Sequence, residues 1–514
     1  MGLVCPGADR GVLVGAVGLG RRGLTQRHWW VRSQSLDHRT GSDIFQTLYG
    51  PLLRQPPTPA TLVALLESPC SATAQPQAYP AASAQGRYSI CAGPPRQINH
   101  LPQLWTPAVG SILPMLTNRL AEGHRLSLIG DEAQTAEETL PFTGGWLGWL
   151  GYDLAWEIER LPTLNDDPLP FPVALWYEPD TFAVLDHQLQ RLWLAAPAPE
   201  GLTQMEQQLH RPPRSEPFFP QSAGDPRPVT LAMAAADYQQ AVLKAQQHIQ
   251  AGDVFQVNLS LRFSTETNAH GWALYRRLHT INPSPFACYW HTPWGDVISG
   301  SPERLVKLQD GTAQTRPIAG TRPRGSTPEQ DRAMATTLLS NPKERAEHIM
   351  LVDLERNDLG RVCQWGTVRV DELLTVEYYS HVMHLVSNVV GKLQGDRTAV
   401  DLIRATFPGG TITGCPKVRC MEIIEALEPV GRSLFYGSCG YLDRRGHLDL
   451  NILIRTLLLG HTDGWSGVST VWGQVGAGIV ADSDPQREWQ ESLQKAQAQL
   501  LALAPRAGAT PQFR

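Results

Sequence analysis

Apolar residues recur along this chain with two different spacings, and together the two spacings predict both helices and strands. The clearest helix starts at Asp237 and stops at Gly252, and its apolar face is Tyr238, Ala241, Val242, Ala245 and Ile249. The next segment, FQVNLSLRF at 255–263, alternates strictly between apolar and polar residues. That alternation is typical of a strand with one buried face.

Further elements follow in the second half of the chain. Strand-like runs lie at 296–308, 366–376, 381–391, 436–443 and 448–459. Helical patterns lie at 328–339, 343–356, 417–427 and 486–503. Because strands and helices come in clusters, the sequence predicts an α+β fold with large, mostly antiparallel sheets.

Changes in composition divide the chain into four regions. Residues 1–35 are rich in Gly and Arg and predict a weakly ordered N-terminal extension. Residues 36–228 form an N-terminal region of short strands that ends in a proline-rich linker at 196–228. Residues 229–505 contain the elements above and form a second domain, followed by a tail at 506–514.

Composition and charge exclude several classes of protein. The formal net charge is −5 with both signs interspersed, so the chain has no electrostatic footprint for nucleic acid. No apolar run reaches the roughly 18 residues of a membrane-spanning helix. The 8 cysteines have no metal-site spacing and indicate reduced thiols, which predicts a cytoplasmic protein.

The segment Phe407–Glu422, FPGGTITGCPKVRCME, combines glycines, a proline and basic residues. Its glycines expose the main chain, and Pro416 can begin a helix whose free amides face an anion. Lys417 and Arg419 add positive charge nearby. A glycine-rich turn before a surface helix is the alternative.

Two glutamates are candidate metal ligands. Glu347 ends the apolar stripe of the helix at 343–356, where a carboxylate needs either a cation or a salt bridge to Arg345 or Arg356. Glu491 lies four residues before Lys495 on the last helix, so a solvated ion pair is its alternative. The pattern alone leaves both possibilities open for each residue.

The segment Phe407–Glu422 resembles the GAPKxRAME segment of the chorismate-utilising enzymes, which include anthranilate, aminodeoxychorismate, isochorismate and salicylate synthases. Residues 229–505 carry the other motifs of that family in the same order, and the chain is identified as a member by this resemblance. The resemblance implies two large, mostly antiparallel sheets in a sandwich with outer helices. It also implies chorismate, a dianion, as the substrate.

The resemblance also assigns roles to individual residues. Glu347 and Glu491 match two glutamates that hold a Mg²⁺ ion bound to the ring carboxylate of chorismate, and Mg²⁺ prefers oxygen ligands. Arg455 matches an arginine that grips a substrate carboxylate. The remaining matches to substrate-contacting residues are Gly320, Thr321, Gly476, Ala477, Gly478 and Lys495, with the three residues at 476–478 expected in a loop after a strand.

Two further matches are candidates for proton transfer. Glu303, in the sequence SPER, matches a glutamate that acts as general acid when the C4 hydroxyl leaves. His384, in HVMHLVSNVV, matches a histidine placed near the same hydroxyl. A structural histidine in a strand is the alternative for His384.

The residue at position 256 indicates which nucleophile attacks chorismate. Gln256 stands where isochorismate and salicylate synthases carry a lysine that activates water, so the resemblance implies ammonia instead. No segment of the chain resembles a glutaminase, which implies a separate glutaminase subunit as ammonia donor.

Two groups in the family use ammonia, and the motifs divide between them. Ala319 stands where many aminodeoxychorismate synthases have a covalent lysine, and it matches anthranilate synthases. The LLES run at 65–68 also resembles the tryptophan feedback site of anthranilate synthases, whereas Pro285-Phe286-Ala287 departs from the PYM of that site. QVN at 256–258, FPGGTITGCPK and the GSCGY run at 437–441 resemble aminodeoxychorismate synthases. The sequence therefore favours amination of chorismate at C4, with anthranilate synthesis as the alternative.

Overall fold

The computed structural model describes residues 26–69, 86–211, 227–378, 382–461 and 467–504. Within these ranges the chain forms two large, mostly antiparallel sheets, which confirms the predicted α+β class. None of the helices in these ranges is both long and apolar enough to cross a membrane.

The larger sheet has 13 strands among the described residues. Their order is Thr230–Leu231, Gln256–Thr267, Ser469–Ile479, Thr456–Gly460, Gly295–Ser301, Phe286–Thr292, Val63–Glu67, Tyr88–Ala92, Phe182–Asp186, Arg191–Ala196, Arg27–Ser35 and Leu126–Ile129, with Gly414–Cys415 added beside Gln256–Thr267.

The smaller sheet has 10 strands among the described residues. Their order is Ile318–Pro323, Val382–Lys392, Thr312–Thr315, Arg304–Gln309, Leu448–Asn451, Ser438–Asp443, Gly145–Leu150, Ala174–Tyr177 and Leu104–Trp105, with Arg369–Tyr378 also paired to Val382–Lys392. A separate hairpin joins Gln97–Ile98 to Leu101–Pro102.

Helices accompany the strands along the whole described chain. The α-helices are Gly41–Tyr49, Ile112–Ala121, Ala133–Thr139, Ala155–Ile158, Pro199–Leu209, Ala235–Gln250, Gly271–Ile281, Pro328–Ser340, Pro342–Gly360, Ala399–Thr406, Lys417–Leu427, Pro485–Lys495 and Gln497–Leu503. Short 3₁₀ turns lie at Leu52–Arg54, Pro59–Thr61, Gly123–Arg125, Tyr152–Leu154 and Gly410–Ile412.

Aromatic rings fill the space where the two sheets meet. Trp290 of the larger sheet packs edge-on against Trp149 of the smaller sheet, with ring centroids 5.7 Å apart, and against Tyr177 at 6.3 Å. All three side chains are fully buried. Edge-to-face packing of buried rings adds stabilising free energy beyond that of burial alone, so these contacts help to hold the two sheets together.

The predicted division of the chain differs from the structure in two places. Residues 27–35 form a strand between Leu126–Ile129 and Arg191–Ala196, so the predicted N-terminal extension is wrong for this part. The predicted linker contains the helix Pro199–Leu209. Residues 1–25, 212–226 and 505–514 lie outside the described residues.

The predicted boundary at residue 228 does not separate two structural units. Both large sheets combine strands from before and after that residue. In the larger sheet, Val63–Glu67 pairs with Phe286–Thr292, and in the smaller one Gly145–Leu150 pairs with Ser438–Asp443. These pairings join residues that are hundreds of positions apart, which local composition does not report.

Most predicted helices and strands are present. The structure differs from the prediction mainly where a predicted strand or helix is interrupted. The run at 296–308 is two strands, interrupted at Pro302-Glu303, and the run at 448–459 is two strands, interrupted at 452–455. The last helix breaks at Ala496. The strand predicted from Phe255 begins at Gln256 instead, and the Phe255 side chain is 70% exposed.

The two interruptions are the points where the chain passes between the sheets. Gly295–Ser301 belongs to the larger sheet and Arg304–Gln309 to the smaller one, while the chain returns between Leu448–Asn451 and Thr456–Gly460. We call these connections the outward crossover (302–303) and the return crossover (452–455).

The two crossovers hydrogen-bond to each other. The Ser301 hydroxyl donates to the Ile452 carbonyl at 2.6 Å, and the Ile452 amide donates to the Glu303 carbonyl at 3.0 Å. The Gly300 amide donates to the Arg455 carbonyl at 3.1 Å. Glu303 and Arg455 are therefore fixed relative to each other by main-chain contacts.

Arg455 adopts a left-handed backbone conformation with φ of +50°. A side chain costs roughly 1–2 kcal/mol in this region, whereas glycine does not. We therefore expect Arg455→Gly to be more stable than Arg455→Ala by about 1 kcal/mol, although both variants lose the same guanidinium contacts. Urea unfolding of the two variants measures the difference, and equal stability would show that this backbone is not strained.

Candidate active site

Glu303 lies on the outward crossover with its side chain buried between the two sheets. Only 6% of the residue is exposed. Burial raises the pKa of Glu303 to about 7, although a hydroxyl contact from Thr411 and the nearby Arg455 guanidinium favour the charged form. A carboxyl group that still carries its proton near neutral pH can act as a general acid.

His384 is a buried imidazole near Arg455. It lies in the strand Val382–Lys392 opposite Thr321, and its Nδ1 is 2.9 Å from the Thr321 hydroxyl oxygen. Burial lowers the pKa of His384 to about 3, and the positive charge of Arg455 adds to this effect. Glu303 and His384 thus share Arg455 as a neighbour.

Arg455 is oriented by a residue that the sequence analysis missed. Its Nη1 donates to the Asn282 side-chain oxygen at 3.3 Å. Asn282 follows the helix Gly271–Ile281 and also donates to the Gly300 carbonyl at 3.1 Å, beside the outward crossover. Nothing in the local sequence around Asn282 indicates this contact.

Gly320 connects this group of residues to the carboxylates of the neighbouring helix. The strand pairing shifts by one residue between Ala319 and Thr321, and Gly320 has φ of +68°. A Cβ atom at Gly320 would lie 1.9 Å from Oε2 of Glu344. The positive φ favours glycine here, and a side chain at this position would displace the Glu344 carboxylate.

Four carboxylates lie near one another on two helices. Burial raises the pKa of Glu347, with Lys343 opposing this and with Glu344, Glu491 and Glu488 adding to it. The structure thus brings Glu347 and Glu491 together and adds Glu344 and Glu488. The sequence analysis missed Glu344 and Glu488, although the sequence contains a signal for them. Each helix carries two glutamates three residues apart, and this spacing places both on one face of the helix.

The ion-pair alternatives for the two predicted metal ligands have different outcomes. Arg356 pairs with Asp353, and Arg345 donates to the Leu339 carbonyl, so the structure places neither arginine against Glu347. Glu491 does pair with Lys495 at 2.9 Å. An all-oxygen donor set with partly buried members fits Mg²⁺. Glu344 pairs through Oε1 with Arg322 at 2.6 Å, and its Oε2 is buried without a hydrogen-bond partner among the described residues.

Gly476, Ala477 and Gly478 lie within the strand Ser469–Ile479, so the predicted loop after a strand is wrong. A Cβ at Gly476 would lie 2.4 Å from the Leu259 carbonyl oxygen, and one at Gly478 would lie 2.2 Å from the Gln256 side-chain nitrogen. The strand therefore approaches the main chain of its neighbour too closely for a side chain at Gly476, whereas a side chain at Gly478 would displace the end of the Gln256 side chain. Lys495 donates to the Gly476 carbonyl at 3.0 Å, which links this strand to Glu491.

Gln256 and Asn258 lie on the strand Gln256–Thr267, which pairs with the strand that contains residues 476–478. Gln256 Oε1 and Asn258 Oδ1 are buried and accept no hydrogen bond from the described residues. Asn258 Oδ1 is also the atom that a Cβ at Gly476 would approach to 3.0 Å. Two unused acceptors therefore lie beside the strand that contains residues 476–478.

A buried arginine holds this strand in place from behind. Arg432 donates to the carbonyls of Asn258 and Ile412 at 2.8 Å each, and it pairs with Glu428 at 2.6 Å. Both side chains of this ion pair are at most 4% exposed. Arg432 thus joins the Asn258 strand to the Gly410–Ile412 turn.

The two cations of the segment Phe407–Glu422 pair with carboxylates of the protein. Lys417 is buried, where it donates to Asp358 at 2.8 Å and to the Thr406 carbonyl at 3.0 Å. Arg419 pairs with Asp253 and Glu422. The charges are used to attach the helix Lys417–Leu427 to its neighbours.

A separate cavity of about 120 Å³ lies between the sheets. It brings together Glu67 and Ser68 of the LLES run with the segment 285–287. The Ser68 hydroxyl donates to the Pro285 carbonyl at 2.7 Å. The two segments that the sequence analysis compared with a feedback site are therefore neighbours in space.

The structure thus brings the buried Glu303, Arg455 and a cluster of carboxylates into one region. The pattern of the chorismate binding enzyme family matches residues 75–501. The chain belongs to this family, and it is therefore an enzyme that acts on chorismate.

Several relatives are similar over most of their length. An "anthranilate synthase component I-like protein" from Synechocystis sp. is 54% identical over 98% of both chains. Aminodeoxychorismate synthase component 1 of Bacillus subtilis is 46% identical over 72% of this chain and 79% of its own. The crystal structure of anthranilate synthase component I from Streptococcus pneumoniae has a TM-score of 0.68 and 33% identity, over 80% of this chain and 92% of its own.

We expect Glu303 to act as the acid, which predicts a specific pH dependence. The acid form is present below the pKa of about 7 and is lost as the pH rises through it. With free NH₃ held constant, kcat/KM for chorismate should therefore fall above about pH 7. Glu303→Gln should lower kcat/KM by about 10²–10⁴-fold and remove this pH-dependent fall. An unchanged pH profile in the variant would exclude Glu303 as the acid.

Proposed function

We propose that this chain is component I of an aminodeoxychorismate synthase, which exchanges the C4 hydroxyl of chorismate for an amine from ammonia. The observation that carries ammonia as the nucleophile is the pair of buried acceptors, Gln256 Oε1 and Asn258 Oδ1. They offer hydrogen-bond acceptors to the N–H groups of ammonia, at the position where a lysine would activate water. The QVN, FPGG and GSCGY segments support C4 as the site of amination.

The residues of the site have complementary tasks in this proposal. Arg455 and the main chain at 476–478 hold the substrate carboxylates, and Lys495 fixes that strand through the Gly476 carbonyl. Glu347 and Glu491, with Glu344 and Glu488, would hold Mg²⁺. When bound, this ion neutralises the ring carboxylate and orients the substrate.

In the exchange at C4, Glu303 first donates a proton and later receives one back. Glu303 gives its proton to the C4 oxygen, which leaves as water when the C4–O bond breaks. Ammonia supplies the nitrogen of the new C–N bond and loses one proton. The Glu303 carboxylate takes up this proton and returns to its acid form. The neutral His384, held through Nδ1 by Thr321, positions the departing hydroxyl.

Ammonia comes from a separate glutaminase subunit in this proposal. Relatives of this chain are named as component 1 of aminodeoxychorismate and anthranilate synthases. Without such a subunit, the chain should use free ammonium salts. At a fixed total ammonium concentration, its rate should rise with the NH₃ fraction up to about pH 7 and then level off as Glu303 loses its proton.

Anthranilate synthase component I is the second candidate, and a specific observation favours it. Ala319 lies directly before Gly320 in the strand Ile318–Pro323, opposite Leu385, and an alanine cannot form the covalent bond at C2 that a lysine forms. The relative from Synechocystis sp. also carries an anthranilate synthase-like name.

The product distinguishes the two candidates. Pure protein with chorismate, Mg²⁺ and ammonium at alkaline pH should give a non-fluorescent product that becomes 4-aminobenzoate when aminodeoxychorismate lyase is added. The Glu303→Gln variant is the matched control for product formed outside the site. Direct formation of fluorescent anthranilate together with pyruvate would contradict the proposal and favour the second candidate.

A further inference from the structure

Three potential metal ligands converge at the strand ends that lie away from the crossovers. His291 and Asp296 face each other across the hairpin formed by Phe286–Thr292 and Gly295–Ser301, and His461 follows the adjacent strand Thr456–Gly460. Asp296 Oδ1 lies 2.7 Å from His291 Nδ1 and 3.4 Å from His461 Nε2. One ligand atom from each of the three residues lies within 4.8 Å of the others.

The carboxylate at the centre of this cluster is fully enclosed. Asp296 is 1% exposed, and its second oxygen accepts a hydrogen bond from the Tyr289 hydroxyl at 2.9 Å. A Cβ at Gly271 would lie 1.8 Å from that oxygen, so the start of the helix Gly271–Ile281 closes the other side.

This buried carboxylate has no lysine or arginine beside it among the described residues. Its ion-pair partners there are the two imidazoles of His291 and His461. A buried charge needs a compensating charge, because removal from water is costly. Either a protonated imidazole or a metal cation can supply it.

We propose that His291, Asp296 and His461 bind a divalent transition-metal ion, with Zn²⁺ as the best match. Two imidazole nitrogens and one carboxylate oxygen are typical zinc donors, whereas Mg²⁺ prefers a set made only of oxygens. Two donors that are each about 2 Å from a tetrahedral ion lie about 3.3 Å apart, which fits the distance of 3.4 Å between Asp296 and His461.

Metal binding replaces the proton that His291 and Asp296 share in their hydrogen bond. Their atoms are 2.7 Å apart, so this pair separates slightly as the ion enters. The nearby His270 is not a ligand, because its Nδ1 accepts from the Trp272 amide and its Nε2 faces the Leu53 carbonyl, both at 3.1 Å.

This site shares no residue with the carboxylate cluster of the active site, and it lies away from Glu303. Asp296 and the outward crossover lie at opposite ends of the strand Gly295–Ser301, about 20 Å apart along an extended chain. The ion would join three adjacent strand ends of the larger sheet, so its expected effect is on stability.

The test uses the full-length protein, stripped with a chelator and returned to excess Mg²⁺ to fill the carboxylate cluster. Titration with Co²⁺, a spectroscopic substitute for Zn²⁺, should give one bound ion per chain with visible absorption bands of an imidazole-ligated site. His461→Gln should weaken Co²⁺ binding by at least about 10-fold, since even loss of an outer partner of a ligand costs that much. His210→Gln, which removes an exposed imidazole from a different part of the surface, should bind Co²⁺ as the wild type does.

A second measurement keeps the test independent of a folding defect. Zn²⁺ should raise the Tm of the wild type and of His210→Gln, and it should raise the Tm of His461→Gln much less. His461 is suited to this variant because its side chain is 16% exposed, while His291 is fully buried. An unchanged Co²⁺ spectrum and affinity in His461→Gln, or no Co²⁺ bound by the wild type, would overturn the proposal.

Discussion

The active site depends on the two places where the chain crosses between the sheets. At Pro302-Glu303 and at 452–455 the strand ladders stop, and the two connections hydrogen-bond to each other instead. A residue inside a regular strand faces either the core or the outer layer, whereas a residue at a crossover can point along the seam between the sheets. This constraint places Glu303 and Arg455 beside each other, and strain at Arg455 persists because the surrounding main chain fixes it.

The charges of the site are divided between two sides. On one side Arg455 stands next to Glu303, whose pKa burial raises to about 7, and next to His384, whose pKa burial lowers to about 3, so a substrate anion meets the Arg455 cation beside two groups with little charge below pH 7. On the other side Glu347 and its neighbours concentrate negative charge, which suits a cation. Gly320, in contact with Glu344, is the residue at which the two sides meet.

Local sequence patterns predicted most helices and strands and some residues that lie close together. They did not predict which distant parts of the chain pair with each other. The helix Lys417–Leu427 has the predicted bounds, and Glu347 and Glu491 lie near each other as expected, because helical spacing and family motifs are local signals. The strand Arg27–Ser35 was missed because its burial depends on partners far away in the sequence. The partner of Lys417 was not predicted, because Asp358 lies on another helix.

The most direct test of the central claim is a crystal structure of the Glu303→Gln variant with Mg²⁺ and chorismate. The account predicts a substrate carboxylate on the Arg455 guanidinium, the ring carboxylate on the side of Glu347 and Glu491, and the C4 oxygen within about 3.2 Å of the side chain at position 303. A substrate bound with its C4 oxygen directed away from position 303, or with no carboxylate at Arg455, would contradict the account.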